Sequence, residues 1–167
     1  ACKPGIMHAE LRPKNLGHTK AYVEKLNNEY GYGQIELFDR DQVQQALGTM
    51  AYCGASMDWG AGHLHPLNFA LGLTRACAAA GVKIFEQSRV TGIKRGEPAI
   101  VSTGKGSVIA RFVALGANGY LGNLVPEVAA RVMPINNFII ATEPLDKDLA
   151  SSLIANDTAV ADSKFVI

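Results

Sequence analysis

Apolar residues recur at the three-and-four spacing of an amphipathic helix in two long stretches of the chain. The first covers residues 13–30, where Leu16 and Val23 fall near one face. The second opens at Pro66, because proline is well tolerated in a first helical turn. It ends at Gly81, because glycine readily takes the left-handed conformation that follows many helices. The pattern therefore predicts two long helices.

Shorter helical segments are predicted from caps and local spacing. Asp39 and Gln42 have the spacing of a capping box, so we expect a helix to begin after Asp39, with Val43 on its buried side. Residues 123–130 predict a helical turn around a proline, and residues 148–154 predict a short helix.

Runs of apolar and β-branched residues bounded by Gly, Pro or polar residues predict the strands. These strands cover residues 6–11, 35–38, 82–85, 89–93, 99–102, 108–115, 133–142 and 158–167. Residues 108–115 are nearly all apolar, so we expect both faces of that strand to be buried. Residues 2–5 predict a turn, and Gly104-Lys105-Gly106 predicts a tight hairpin. The mixture of helices and strands predicts an α/β fold with mixed α+β character.

The composition is typical of a globular protein. Of the 167 residues, 48% are hydrophobic and 19% are charged, and the formal net charge is +1. This balance argues against a disordered chain. Because no basic patch stands out, we expect no nucleic-acid partner. No apolar run approaches the length of a transmembrane helix, so we expect no membrane-spanning segment.

The three cysteines, Cys2, Cys53 and Cys77, are odd in number and widely spaced. They contain no Cys-x-x-Cys pair, so we expect neither a disulfide framework nor a zinc site. This usage fits a reducing, cytoplasmic location. Cys77 falls at core spacing on the second long helix, and we expect it to be buried as a small hydrophobic residue.

His63 and His65 lie two residues apart, just before the helix that begins at Pro66. On a strand this spacing puts both side chains on one face. No third ligand is near, so no metal site is predicted. Two alternatives stay open: polar residues beside a bound ligand, or helix-entry histidines bonded to backbone. The neighbouring Gly60-x-Gly62 lacks the third glycine of a dinucleotide fingerprint, and a pyrophosphate site is not assigned to it.

Several stretches resemble the FAD-dependent amine and amino-acid oxidoreductases, which include D-amino-acid oxidase, glycine oxidase and sarcosine oxidase. They are Gly62-His63-Leu64-His65-Pro66-Leu67-Asn68, Gly81-Val82-Lys83-Ile84, Val90-Thr91-Gly92-Ile93 and Phe138-Ile139-Ile140-Ala141-Thr142-Glu143-Pro144-Leu145. Within this superfamily the chain looks like the gamma-glutamylputrescine oxidoreductase branch, and the similarity extends over essentially the whole chain.

The resemblance implies an FAD domain interleaved with an antiparallel-sheet substrate domain. Residues 62–125 resemble an FAD-domain segment without the N-terminal dinucleotide βαβ unit, and residues 1–61 and 126–167 resemble substrate-domain segments.

The resemblance also implies FAD as cofactor and three cofactor-binding residues. The strand at Val90 offers its backbone to the adenine in the family, and Gly116-Ala117 lies beside the cofactor. The resemblance assigns no catalytic residue and no metal ligand in this chain.

The family's Gly-x-Gly-x-x-Gly unit and its C-terminal part have no counterpart here, so we expect an internal fragment that is inactive alone. In the parent enzyme we expect the flavin to oxidise a small-molecule amine to an imine. The alternative is a non-catalytic, flavin-free interaction or assembly remnant of that fold, which self-associates through unpaired strand edges.

Overall fold

The computed structural model describes residues 2–164, which divide into two compact units. One unit contains the residues up to Arg75 and those from Thr142 onward, and the other is Ala76–Ala141. The elements are β1 (Cys2–Glu10), α1 (Pro13–Glu29), β2 (Ile35–Phe38), α2 (Arg40–Ala46), β3 (Gly54–Leu64), α3 (Pro66–Ala79), β4 (Val90–Lys94), β5 (Ala99–Thr103), β6 (Gly106–Ala110), a 3₁₀ helix (Asn118–Leu121), α4 (Pro126–Ala129), α5 (Lys147–Leu153) and β7 (Ala159–Asp162). The predicted mixed α/β fold is confirmed.

The first unit is built on a four-stranded sheet in the order β2-β3-β1-β7. Strand β3 runs antiparallel to both β1 and β2, whereas β7 runs parallel to β1. Met7 lies opposite Met57 and Ala9 lies opposite Ala55, so these four apolar side chains share one face of the sheet.

Helix α2 covers that face and completes the core of the first unit. Val43, Ala46 and Leu47 are buried with the four sheet residues in one cluster, as predicted for Val43. The helix begins as the sequence predicts, because Asp39 and Gln42 form both halves of a capping box. The backbone N–H of Gln42 donates to Asp39 Oδ1 at 2.9 Å, and the Asp39 N–H donates to Gln42 Oε1 at 2.8 Å.

Close packing on β1 and β3 depends on two glycines. A Cβ at Gly54 would lie 2.6 Å from Leu16 Cδ1, so helix α1 packs against this part of β3 only because no side chain intervenes. Gly5 has a φ of +96° beside the register shift in β1, and a Cβ there would lie 2.6 Å from Thr158 Cγ2. The turn predicted at residues 2–5 is therefore wrong: these residues belong to β1, and the irregularity at Gly5 lies within the strand.

The second unit contains a three-stranded antiparallel meander in the order β4-β5-β6. Strands β5 and β6 meet at the predicted hairpin, with Gly104 and Lys105 in its turn. Helix α3 ends as predicted, since the N–H groups of Gly81 and Val82 donate to the carbonyls of Ala78 and Cys77, both at 3.0 Å. Gly81 has a φ of +82°, which suits the left-handed position in this helix end.

Four predictions for apolar segments are wrong. Residues 82–85 and 133–142 form no strand, because no strand in the described part of the chain lies beside either segment to accept its hydrogen bonds. The strand predicted for residues 108–115 ends at Ala110, and Val108 and Ile109 are exposed. Cys77 is also exposed, and none of the residues of helix α3 is buried.

The remaining predicted elements are present within three residues of their expected ends, with two exceptions. Strand β1 begins at Cys2, four residues before its predicted start. The segment predicted as extended from residue 158 forms β7 at Ala159–Asp162, and its end at residues 165–167 lies outside the described residues. No described helix has both the length and the apolar character needed to cross a bilayer.

Met57 and Met50 allow a matched test of this core. Met57 is 0% exposed and Met50 is 71% exposed. We expect Met57→Ala to lower the free energy of unfolding by about 2–5 kcal/mol, because it leaves a cavity between the sheet and α2. Met50→Ala should change it by less than about 0.5 kcal/mol. Urea unfolding followed by circular dichroism measures both, and equal effects would contradict the core described here.

Candidate functional site

An open cavity of about 800 Å³ lies within the second unit. Its walls come from residues at the start of β4, from Val101 of β5, and from residues 113–117 and 120–124. Val90, Gly116 and Ala117, the three residues predicted to bind a cofactor, all line it. The fold thus brings together residues that are more than twenty positions apart in the chain.

Strand β4 gives the cavity a wall of accessible backbone. It lies at the edge of the meander, so one row of its N–H and C=O groups faces away from β5 and pairs with no described strand. A strand residue directs its N–H and C=O to the same side, and adenine presents an amino donor next to a ring-nitrogen acceptor. An edge strand of this kind offers the type of hydrogen-bonding groups that an adenine ring needs.

The pairing of β4 with β5 is irregular at this wall. The pairing of β4 with β5 shifts register between Val90 and Gly92, which leaves Thr91 at the irregularity. The Thr91 hydroxyl donates to the carbonyl of Ser102 at 3.3 Å and holds the two strands together there. Thr91 lines the cavity and is not among the residues predicted from the sequence. Because Thr91 directly follows Val90 in the chain, it could have been predicted as a neighbour of the proposed cofactor site.

The residues around Gly116 form another part of the cavity wall. A Cβ added at Gly116 would meet no atom within 4 Å, so the space in front of this residue is open. The carbonyl of Ala117 accepts from the Tyr120 N–H at 3.0 Å, and this bond begins the 3₁₀ helix. An open cavity beside a glycine whose neighbours are fixed has room for a flat ligand, and the residues present fit the adenine portion of FAD.

The two histidines at the start of α3 are bonded to backbone. His65 Nδ1 accepts from the Asn68 N–H at 3.4 Å, which caps the first turn of the helix. His63 Nε2 lies 3.0 Å from the carbonyl oxygen of Asp157. These contacts support the helix-entry alternative. Among the described residues, no group of three or more His, Cys, Asp or Glu side chains could hold a metal ion.

Asp58 accepts three hydrogen bonds through one carboxylate oxygen, beside the register shift between β3 and β1. Asp58 Oδ1 accepts from the Tyr32 hydroxyl at 2.6 Å and from the N–H groups of Gly60 and Ala61 at 2.9 and 3.1 Å. The hydrogen bond to this carboxylate raises the pKa of Tyr32 above its ordinary value, because it favours the protonated phenol. We interpret the cluster as a structural clamp, since these bonds tie Tyr32 to β3 and fix the backbone at Gly60 and Ala61.

A comparison with protein families matches the FAD dependent oxidoreductase family, known as DAO, to residues 3–166. Gamma-glutamylputrescine oxidoreductase of Escherichia coli strain K12 is 37% identical over 166 residues, which are 99% of this chain and 39% of that protein. The probable oxidoreductase OrdL of Haemophilus influenzae is 34% identical over 171 residues, with the same two coverages. The chain therefore spans about two fifths of the length of these relatives.

Two solved structures, those of a glycine oxidase and an L-proline dehydrogenase, share the fold of this chain. Glycine oxidase from Geobacillus kaustophilus superposes with a TM-score of 0.64 at 18% identity, over 75% of this chain and 34% of that one. L-proline dehydrogenase from P. horikoshii gives a TM-score of 0.63 at 18% identity, over 78% of this chain and 36% of that one. At these identities the likeness is one of fold.

Proposed function

Because the chain belongs to the family of FAD-dependent oxidoreductases, we propose that it is part of an enzyme that oxidises an amine or amino acid to an imine. Its identity of 37% with gamma-glutamylputrescine oxidoreductase supports a substrate of similar chemistry, a small amine that carries a primary or secondary nitrogen. The flavin, when bound, accepts the hydride equivalent from the amine C–H bond. The cysteine usage supports a cytoplasmic setting for this enzyme.

The cavity of the second unit is the proposed site for the adenine end of FAD. The observation that carries this proposal is that Val90, Gly116 and Ala117 line one cavity with an edge strand on one side. In the proposed complex, β4 supplies hydrogen bonds to the adenine edge. Gly116 leaves room for the ring, because it has no side chain to occupy the open space in front of it.

The division into domains follows from the same proposal. We assign residues 62–125 to the FAD domain, and residues 1–61 and 126–167 to the substrate domain. The proposed FAD-domain segment contains the meander and the cavity, and the four-stranded sheet draws its strands from both ends of the chain. We assign no catalytic acid or base, and we propose that the 167-residue chain has no turnover of its own.

Substitution at Gly116 tests the adenine site directly. We expect Gly116→Val to weaken FAD binding at least about tenfold, because its methyl groups would occupy the space of the ring. The folded chain should accommodate the change, since a Cβ at Gly116 meets no atom within 4 Å. Gly33→Val is a matched control, because Gly33 is equally free of neighbours and does not line the cavity. Quenching of flavin fluorescence measures both, and unchanged affinity of Gly116→Val would contradict the proposed site.

Anaerobic absorption spectra test the proposed chemistry. When the whole protein that carries this sequence is mixed with gamma-glutamylputrescine, we expect its flavin bands to bleach as the flavin is reduced. The 167-residue chain with added FAD should show no bleaching. Bleaching by this chain alone would contradict its proposed inactivity, and no bleaching of the whole protein by any amine or amino acid would contradict the proposed reaction class.

A second candidate function is self-association without catalysis, and one exposed apolar run favours it. Phe138, Ile139 and Ile140 are 90%, 94% and 94% exposed. Consecutive apolar side chains of this kind have high strand propensity and pair readily with a second copy.

We expect dimers at high concentration, and we expect Ile139→Lys to convert them to monomers. Asn136→Lys is the control: it adds the same charge nearby without removing an apolar side chain, so the dimers should remain. Size-exclusion chromatography with light scattering reports the mass, and a monomer at all concentrations would contradict self-association.

A further inference from the structure

The proposed adenine cavity carries a single formal charge. Arg89 is the one lysine, arginine, aspartate or glutamate among the residues that line it. The other polar side chains of the lining, those of Thr91, Tyr120 and Asn123, are neutral. A cavity with one cation and no carboxylate attracts anionic ligands, because no acidic group offsets the positive potential.

Arg89 also has no acidic partner in the described part of the chain. The salt bridges there involve Lys3, Lys20 and Arg95. Arg95, at the other end of β4, illustrates the difference, since its Nη2 lies 3.1 Å from Glu127 Oε1. The charge of Arg95 is therefore offset by a carboxylate, whereas that of Arg89 is available to a ligand at the cavity wall.

A second feature of the cavity favours a ligand with an aromatic ring. Tyr120 lines the cavity and is 97% exposed, so no other side chain covers its ring. Exposed aromatic rings stack on nucleobases with little dependence on the base. A guanidinium and an uncovered phenol ring in one cavity match the two parts of a nucleotide, its phosphate and its base.

We propose that Arg89 binds a phosphate group of the nucleotide that occupies this cavity, and that it makes the site select phosphorylated nucleotides over nucleosides. This inference rests on the proposed function, since it takes the cavity to be the adenine site. The planar guanidinium can donate two parallel hydrogen bonds to phosphate oxygens, a geometry that a neutral side chain does not offer.

The test compares AMP with adenosine, which differ only by the phosphate. Isothermal titration of the 167-residue chain should show AMP binding about tenfold more tightly or better, because charge-assisted hydrogen bonds are the stronger class. The advantage of AMP should shrink when salt is raised, since Arg89 is exposed. Arg89→Gln should reduce AMP affinity to that of adenosine and leave adenosine affinity unchanged.

Arg111→Gln is the matched control. Arg111 belongs to the same unit, lies with its Cζ 5.0 Å from the Phe112 ring centroid, and does not line the cavity. Arg111→Gln removes the same charge outside the cavity lining, so this variant should preserve the tenfold preference for AMP.

Equal affinities for AMP and adenosine, or an equal loss in both variants, would overturn the role of Arg89 and leave the adenine site standing. Failure of both ligands to bind would contradict the adenine site as well.

Discussion

The pairing of β1 with β3 is the constraint on which the first unit depends. The two strands pair from Cys2 opposite Leu64 to Glu10 opposite Gly54. This register puts Met7 beside Met57 on one face, where α2 can cover them, and it leaves the other side of β1 for the parallel strand β7. A shift of β1 by one residue would move Met7 to the opposite face of the sheet, away from Met57, and disrupt the core. The same pairing fixes the end of β3 and so the start of α3, where His65 caps the first turn.

The second unit depends on a different property, an edge that stays open. Its meander has β4 at one side and β6 at the other, and the cavity lies against β4. An edge strand is a hazard in a free protein, because its backbone can pair with another chain. The same groups are what a nucleotide base needs, so the feature that favours self-association also favours ligand binding. The self-association proposed from Phe138, Ile139 and Ile140 uses a different segment of the same unit.

Local patterns in the sequence predicted most of the elements, because caps and turns act over a few residues. The capping box at Asp39, the Gly81 helix end and the Gly104-Lys105 turn were each predicted from neighbouring residues. Burial was harder to predict, because it depends on partners elsewhere in the chain. Cys77 has core spacing and is exposed, and residues 133–142 have strand composition without a described strand beside them. The cofactor residues came from resemblance to a family, whereas Thr91 and Arg89 became candidates only when the cavity was seen.

We propose that the cavity of the second unit receives the adenine end of FAD. Nuclear magnetic resonance of the ¹⁵N-labelled chain, titrated with ADP, tests it most directly, because each backbone amide reports its own environment. We expect the largest chemical-shift changes at the amides of Val90, Gly116 and Ala117, which line one cavity, and no change at the amides of β1 and β3. Shifts confined to the four-stranded sheet, or none at ADP concentrations that saturate related sites, would contradict it.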